Sequence, residues 1–340
     1  MLVWVVALTA QIPSGYYNQA EDKRDAALKT ALHQIIKNHT QLEYYSTAGH
    51  FRNTDWHPNG YYWDMYSSHK RTSWSGMNRE HSMPKSWFGI SGGQENTAAI
   101  ATDLHNLYPS DVTANSAKSN YPLGENNGNE FDNGVSKVGN STFTGYHGVV
   151  FEPADVYKGD FARTYMYMVT CYEDYASVWR STGTASMLYQ NTYPTFRPYA
   201  VNLLLKWHRN DPVSEKEINR NNEVYKVQRN RNPYIDHPVL AEYIWGYHKG
   251  ENWDTSKSTT GGPEFFSVHY QYQTRKMLIR LTPAQAATYR IAAINGQVVE
   301  TGLLSTSITT TIPVGHLSGG SYIVMVETAI NRFSHILLIH

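Results

Sequence analysis

The stretch "NREHSMPKSWFG", residues 78–89, places a glutamate and a histidine side by side, with a proline three residues later. A carboxylate oxygen binds a hard divalent cation, and a neutral imidazole accepts a proton from water. Glu80 and His81 therefore suit metal-assisted hydrolysis. In a chain with 15 histidines the pair alone is a weak signal, and the alternative interpretation is two polar residues that happen to be neighbours.

A second polar stretch strengthens the case for a functional site. Residues 102–125, "TDLHNLYPSDVTANSAKSNYPLGE", are rich in Asp, His and Asn. Within them Asn115, Lys118 and Asn120 fall on one or two turns of helix or in a tight loop. Carboxylate and carboxamide oxygens favour Mg²⁺ or Ca²⁺ over zinc, and a nearby lysine can bind a phosphate. The alternatives are that His105 is a buried structural residue and that Asn120 forms a turn.

Other functional classes find little support. No HExxH, Walker-type or paired CxxC motif is present, which disfavours the usual zinc-protease and nucleotide-binding sites. The segment "GISGG", residues 89–93, matches GxSxG but has no strand before it or helix after it, so we interpret it as a glycine-rich loop. Basic and acidic residues balance at 29 each. Any polyanion site must therefore be a local patch, for which Lys206–Arg209 and Arg229–Arg231 are candidates.

The pattern along the chain predicts two structured regions. Apolar periodicity predicts helices at 21–38, 160–177, 197–208 and 213–228, whereas 41–76 has the composition of irregular loop and short strand. Short alternating runs after residue 264 predict a small all-β sandwich over 265–340, and the Ser/Thr/Gly-rich segment 251–264 predicts a linker. We expect a compact domain over 11–250 and interpret the apolar residues 1–10 as a signal-peptide remnant, with a buried first strand as the alternative. The single cysteine, Cys171, excludes an intramolecular disulfide.

At this point the chain resembles a known family. "NREHSMPKSWFG", "TDLHNLYPSD" and "NSAKSNYPLGE" resemble, in this order, the core of the bacterial endonuclease I family, which are secreted or periplasmic nucleases. The likeness continues through 151–172 and 207–238 and covers roughly residues 15 to 247. Residues 265–340 are similar to the C-terminal sorting domains of proteins exported by type IX secretion.

The resemblance implies a fold and a set of site residues. The fold is α+β, with a mainly helical nuclease domain that contains a ββα-metal (His-Me finger) motif, followed by the small β-sandwich. Glu80 is implied as a metal ligand and His81 as the general base. Asn115 is implied as the second ligand, with Asn120 as the alternative. Some relatives carry an arginine on the scissile phosphate, in a loop that here has Lys85 as its only basic residue, so we expect Arg79 or Lys118 to bind substrate.

The implied function is a secreted or cell-surface, metal-dependent and largely sequence-nonspecific endonuclease. It would use Mg²⁺, with Ca²⁺ or Mn²⁺ as alternatives, act on DNA, with RNA as a further candidate substrate, and leave 5′-phosphate ends. The implied partners are nucleic acid and, through the last domain, the secretion machinery, without a membrane span. Two rival functions remain. One is a secreted protein that binds glycan or nucleic acid on an inactive nuclease fold, and the other is a phosphodiesterase for a smaller substrate in a closed pocket.

Overall fold

A computed structural model describes residues 12–90, 93–180, 183–255, 265–271, 274–282, 286–304, 309–328 and 332–339. The chain divides into two compact units, Met1–Asp254 and Thr255–His340. The predicted signal-peptide remnant, residues 1–10, lies outside the described residues, as does most of the predicted linker. Within the residues that the structure describes, no helix combines the length and the hydropathy that a membrane span requires.

Among the described residues, the first unit contains all the α-helices and seven strands. The helices are α1 (Asp25–Ile36), α2 (Thr47–Thr54), α3 (Ala99–Thr102), α4 (Val112–Lys118), α5 (Lys158–Cys171), α6 (Pro198–Asn210), α7 (Glu215–Gln228), α8 (Pro233–Asp236) and α9 (Leu240–Trp245). The strands are β1 (Trp56–His57), β2 (Tyr61–Tyr62), β3 (Met77–His81), β4 (Leu107–Asp111), β5 (Phe131–Asp132), β6 (Ser136–Asn140) and β7 (Val149–Pro153).

The second unit is rich in sheet, as predicted. Its strands are β8 (Phe265–Gln271), β9 (Lys276–Thr282), β10 (Ala287–Ala293), β11 (Val298–Leu304), β12 (Thr309–Pro313), β13 (Gly320–Glu327) and β14 (Arg332–Ile339). They form two antiparallel sheets, with strand orders β11-β10-β13-β14 and β12-β9-β8. Ile279 of one sheet and Ile291 and Val324 of the other belong to a single apolar cluster, so the two sheets bury their apolar sides together.

The long helices form where the apolar spacing predicts them. In α5 every residue from Gly159 to Cys171 is buried, so the helix runs through the centre of the first unit. Its aromatic and methionine stripe is therefore core, as expected. Helix α7 begins with a capping box, in which Ser214 and Glu217 each bind the other's backbone N–H. Such caps satisfy amide groups that the first turn leaves without a partner.

Two expectations about the first unit are wrong. The segment 41–76 is not only loop and short strand, because α2 occupies residues Thr47–Thr54 and buries Phe51 against the core. The unit is also not mainly helical, since three small sheets accompany the helices: β1-β2, β3-β4 and β5-β6-β7. These strands are two to five residues long, and runs this short carry too little periodicity to be recognised in a sequence.

The pair β3 and β4 and the helix that follows them position the polar residues of interest. The strands run antiparallel, with Glu80 opposite Tyr108 and His81 opposite Leu107. Helix α4 starts directly after β4, and the side chain of Asp111 accepts hydrogen bonds from the backbone N–H groups of Thr113 and Ala114. This N-cap fixes the angle at which α4 leaves the strand. The result is a strand–strand–helix unit with Glu80 and His81 at the end of its first strand.

A buried charge cluster joins α5 to the start of α7. Arg163 makes a two-pronged ion pair with Glu217, at 2.6 and 2.9 Å, and donates to the backbone carbonyl of Asp211 at 2.8 Å. Lys216 pairs with Asp160 in the same cluster. The carboxylates of this cluster are those of Asp160, Asp211 and Glu217, and its two cations are Arg163 and Lys216. Burial and the neighbouring carboxylates raise the pKa of Asp211 to about 7 and that of Asp160 to about 6.

This cluster predicts how stability depends on pH. Because the folded pKa of Asp211 is about 7, against 3.8 for its ordinary value, the folded protein holds the proton more tightly than the unfolded chain. The stabilisation is complete below the unfolded pKa and is lost as the pH rises through the folded pKa. Relative to the unaltered protein, we expect the melting temperature of Asp211→Asn to rise between about pH 5.5 and pH 8, because the variant lacks the group whose stabilisation is lost over that range. Thermal melts at both pH values measure it.

A matched control is Asp132→Asn, because Asp132 is exposed and its carboxylate likewise accepts a backbone hydrogen bond, from Gly134. It should keep the pH dependence of the unaltered protein. The same pH dependence in Asp211→Asn as in the unaltered protein would contradict the raised pKa of Asp211 in the cluster.

Candidate active site

Glu80 and Lys118 form a buried ion pair between β3 and α4. The ammonium Nζ of Lys118 lies 2.6 Å from Oε1 of Glu80, and the side chains of Lys118 and Glu80 are 0% and 8% exposed. Lys118 also donates to the backbone carbonyl of His81 at 3.2 Å. Burial raises the pKa of the Glu80 carboxyl, and the charge and hydrogen bond of Lys118 oppose that shift. Lys118 is thus placed to orient Glu80 and to favour its ionised form, and it is too deeply buried to contact a phosphate in this arrangement.

His81 is held in one orientation. Its Nε2 lies 2.8 Å from the backbone carbonyl of Ala101. A carbonyl only accepts, so Nε2 carries the hydrogen and the lone pair of the neutral ring is at Nδ1. Nδ1 makes no hydrogen bond to any residue in the described ranges. Burial lowers the pKa of His81 to about 4, with the charges of Lys85 and Lys118 acting in the same direction. The ring is therefore neutral at pH 7 and can accept a proton at Nδ1.

Asn106, at the end of the Asp-Leu-His-Asn stretch (residues 103–106), holds the backbone that follows His81 in place. The side chain of Asn106 accepts from the backbone N–H of Met83 at 2.7 Å and donates to its carbonyl at 3.0 Å. The backbone carbonyl of Asn106 accepts from the N–H of Ser82 at 2.9 Å, which extends the strand pairing by one residue beyond His81. These three bonds tie the residues that follow His81 to the start of β4.

Asp103 and His105 of the same stretch are structural. Asp103 accepts hydrogen bonds from the hydroxyls of Tyr167 and Tyr172 at 2.6 and 2.7 Å and from Gln228 at 2.8 Å. His105 is buried against the ring of Tyr167, and burial lowers its pKa to about 3. These contacts agree with the alternative interpretation, that His105 is a buried structural residue.

Among the described residues, one further cluster brings together side chains of the types that bind metals. His39, Asp103 and Cys171 each bring one ligand atom within 4.8 Å of the others. A carboxylate oxygen of Asp103 already accepts the two tyrosine hydroxyls, and the thiol of Cys171 contacts the backbone carbonyl of Ile36 at 3.5 Å. The donor set is thus used within the core, which fits a structural role better than a metal site.

A cleft of about 330 Å³ opens beside Glu80 and His81. Its other lining residues are Pro84, Lys85, Ser86, Ser119 and Asn120. Lys85 donates to the side chain of Asn96 at 3.0 Å, and no carboxylate pairs with it among the residues that the structure describes. Lys85 is therefore the lysine that lines the cleft. The sequence feature that singled it out was its position as the only basic residue between the two motifs.

The two candidate asparagines have different surroundings. Asn115 is half-buried on α4, one turn before Lys118 and so on the same face of the helix, and its amide makes no hydrogen bond to a residue within the described ranges. It does not line the cleft as delimited above. Asn120 does line the cleft, and its amide lies 3.5 Å from the hydroxyl of Ser86. The structure thus leaves the Asn115 amide available and places Asn120 at the cleft wall.

Arg79 lies on β3 two residues before His81, and so on the same face of the strand. Its guanidinium donates to the backbone carbonyl of Tyr45 at 3.0 Å and lies over the ring of Tyr44 at 5.1 Å. The ring of Tyr44 is in turn nearly parallel to that of His81, at 6.2 Å between centroids. Arg79 therefore belongs to the surroundings of His81 without lining the cleft itself.

Most of the basic residues in the two expected patches have acidic partners. Lys206 pairs with Glu125 at 2.7 Å, and Arg209 pairs with Glu242 at 2.7 Å. Arg231 is buried in an ion pair with Asp236. Folding brings most of these acidic partners from distant parts of the chain, which a run of basic residues in a sequence does not reveal.

The glycine-rich loop "GISGG" lies partly outside the described residues, because Ser91 is not among them. Gly89 at its start has a φ of +69°, and a Cβ there would lie 2.0 Å from the backbone oxygen of Val178. Close backbone approach and positive φ explain the glycine at this position without a catalytic role.

Comparison with known proteins decides the family. The Endonuclease I family profile matches residues 25–239, which include Glu80, His81 and Asn115. This chain belongs to the endonuclease I family. A protein named extracellular ribonuclease from Bacillus amyloliquefaciens is 37% identical over 247 residues, covering 68% of this chain and 78% of its own. The protein of the same name from Bacillus subtilis is 36% identical over 247 residues, with the same coverage.

A third relative extends the comparison. A protein named endonuclease-1 from Buchnera aphidicola is 28% identical over 178 residues, covering 46% of this chain and 60% of its own. The resemblance to the endonuclease I family is thus confirmed, and the chain is a nuclease by family. The resemblance of residues 265–340 to a sorting domain stays a prediction.

The Glu80–Lys118 ion pair leads to a prediction about stability. Removing one partner leaves the other charge buried without compensation, which costs about 3–5 kcal/mol in typical proteins. We expect Lys118→Met to lower the free energy of unfolding by that amount, and Glu80→Gln in the same chain to recover part of it. Urea unfolding of the metal-free protein measures both.

The surface pair Lys206–Glu125 provides the control, since Lys206 is 47% exposed. Lys206→Met should cost no more than about 1 kcal/mol. Equal losses in Lys118→Met and Lys206→Met would show that the buried pair contributes nothing beyond a surface one.

Proposed function

We propose that this protein is a secreted, divalent-metal-dependent endonuclease that hydrolyses phosphodiester bonds in DNA or RNA and leaves 5′-phosphate ends. The observation that carries the proposal is the pair at the end of β3. Glu80 and His81 line one cleft, with the lone pair of His81 directed by the bond from Nε2 to Ala101. A carboxylate and a neutral imidazole in one cleft supply a metal ligand and a base.

The residues present fit a hard divalent cation. Oε1 of Glu80 is paired with Lys118, whereas Oε2 makes no hydrogen bond to a described residue. The amide of Asn115 is likewise available, so Glu80 and Asn115 would hold the ion, with Asn120 as the alternative ligand. An oxygen-only donor set favours Mg²⁺, with Ca²⁺ or Mn²⁺ as alternatives. When bound, such an ion neutralises charge on a phosphate and stabilises a departing oxygen.

The chain's own residues perform the remaining steps. His81 accepts a proton from the attacking water at Nδ1, and its low pKa keeps it neutral and ready for that step at pH 7. The carbonyl of Ala101 keeps the ring in one tautomer throughout. Lys118 holds Glu80 in place and favours its ionised form, and Lys85 at the cleft wall offers an ammonium to a phosphate oxygen. Phosphate contacts carry no sequence information, so cutting is expected with little sequence preference.

The strand–strand–helix unit supports a His-Me finger (ββα-metal) site. The order β3, β4, α4 places His81 at the end of the first strand and Asn115 on the helix. Its buried ion pair joins the first strand to the helix. We infer that this unit is the ββα-metal motif of the enzyme.

Relatives support both the substrate range and the location. Two are named extracellular ribonuclease and one endonuclease-1. We infer from these names that this chain acts on RNA as well as DNA outside the cell. For the second unit, we propose a role as the sorting domain through which type IX secretion machinery recognises the protein.

The direct test is cleavage of plasmid DNA and of RNA with Mg²⁺, with and without EDTA. We expect cleavage that EDTA stops, and a loss of at least about a hundredfold in His81→Ala, because the proton acceptor is gone. Ligation of the products without added kinase would show 5′-phosphate ends. His147→Ala is the control, since His147 is exposed and does not line the cleft.

Full activity in EDTA or in His81→Ala would refute the assigned mechanism. No cleavage of either polymer with several metals, by protein that is folded, would favour the rival function of a binding protein on an inactive fold.

The second ligand has its own test. We expect Asn115→Ala to weaken Mn²⁺ binding by at least about tenfold, since one of two protein ligands is lost, and Asn120→Ala to change it by less than about threefold. Isothermal titration of Mn²⁺ into each variant measures this without reference to activity. The reverse order of effects would assign the site to Asn120.

A further inference from the structure

Two adjacent tyrosines connect the candidate active site to the protein surface. The ring of Tyr44 is nearly parallel to that of His81, with an interplanar angle of 7° and centroids 6.2 Å apart. Tyr45 packs its edge against Tyr44 at 5.5 Å and is itself 70% exposed. We call these two residues the tyrosine platform. It leads from the base of the proposed reaction outward to solvent.

Two cationic side chains, Arg79 and Lys85, lie beside the rings of the tyrosine platform. The guanidinium of Arg79 lies 5.1 Å from the ring centroid of Tyr44 and 5.9 Å from that of Tyr45. It also donates to the carbonyl of Tyr45 at 3.0 Å, which fixes the backbone under the exposed ring. The ammonium of Lys85, at the cleft wall, lies 5.6 Å from the ring of Tyr44. Aromatic rings beside cations are the combination that binds single-stranded nucleic acid, because bases stack on the rings and phosphates meet the charges.

Exposure of Tyr45 needs an explanation beyond packing. A tyrosine that only completes the core buries its ring and presents its hydroxyl to solvent. Tyr45 instead presents 70% of its surface, on a backbone held by Arg79. A rigid exposed ring with a small entropy cost on contact is suited to stacking with a planar ligand.

The ligand must offer an accessible flat face. Bases inside a duplex are stacked and paired, so their faces are covered, whereas an unpaired base can turn out and stack on an aromatic side chain. Tyr45 is separated from His81 by two ring contacts, through Tyr44, so a nucleotide flanking the scissile phosphate is within reach of it.

We propose that Tyr45, supported by Arg79, stacks an unpaired base next to the scissile phosphate and that the enzyme thereby prefers single-stranded nucleic acid. The proposal rests on the proposed nuclease function and adds the substrate class. It also gives Arg79 a role in substrate binding, through the ring of Tyr45 and through its own charge.

The test compares single-stranded and duplex cleavage in matched variants. Tyr45→Ala should lower kcat/KM on a single-stranded oligonucleotide by about tenfold, as expected for one lost base stack, with the change mostly in KM. On a blunt-ended duplex of that strand with its complement it should change by less than about twofold, because paired bases do not stack on the ring. Tyr45→Phe keeps the ring and should retain the activity of the unaltered protein on both.

Tyr247→Ala is the control for loss of an exposed tyrosine. Tyr247 is 79% exposed, lies under an arginine at 3.9 Å and does not line the cleft. Cleavage of single strands should be unchanged in it. Equal losses on single strand and duplex in Tyr45→Ala, or no loss on either, would overturn the stacking proposal while leaving the nuclease function intact.

Binding separates failure of this proposal from failure of the proposed function. Fluorescence anisotropy of a labelled single strand of about 12 nucleotides in EDTA compares His81→Ala with the double variant His81→Ala/Tyr45→Ala, so no cleavage is required. About tenfold weaker binding by the double variant supports stacking even if the protein proves to be inactive. Equal binding by the two variants overturns it.

Discussion

The ammonium of Lys118 and the carboxylate of Glu80 meet in the interior between β3 and α4, and the geometry of the site depends on that contact. Both side chains are almost completely removed from water, so each charge is tolerable only because the other is 2.6 Å away. The same ammonium binds the backbone carbonyl of His81. One buried cation therefore fixes the proposed metal ligand and the backbone of the proposed base together.

A second set of contacts fixes the imidazole from the other side. The carbonyl of Ala101 accepts a hydrogen bond from Nε2 of His81. The side chain of Asn106 hydrogen-bonds both the backbone N–H and the carbonyl of Met83. Burial supplies the remaining requirement, because removing the ring from water disfavours the imidazolium and keeps the base neutral. Orientation and protonation state thus come from packing and backbone hydrogen bonds rather than from a carboxylate partner.

The sequence predicted part of this arrangement. The helical periodicity located α5, α6 and α7, and the alternating runs located the sheet-rich second unit. The motifs singled out Glu80 and His81, which line one cleft; neighbours in the chain lie together without any tertiary information. The sequence did not predict the strands β3 to β7, the helix α2 or the burial of Lys118, because each depends on contacts between distant residues. The same reason accounts for Lys206 and Arg209, whose acidic partners lie far along the chain.

We propose that Glu80 holds a divalent cation beside His81. A crystal structure of the protein soaked in Mn²⁺, with anomalous scattering recorded for the metal, tests it most directly. We expect one Mn²⁺ bound by a Glu80 oxygen and next to His81. An anomalous peak elsewhere, with the Glu80 carboxylate bound to Lys118 alone, would contradict it.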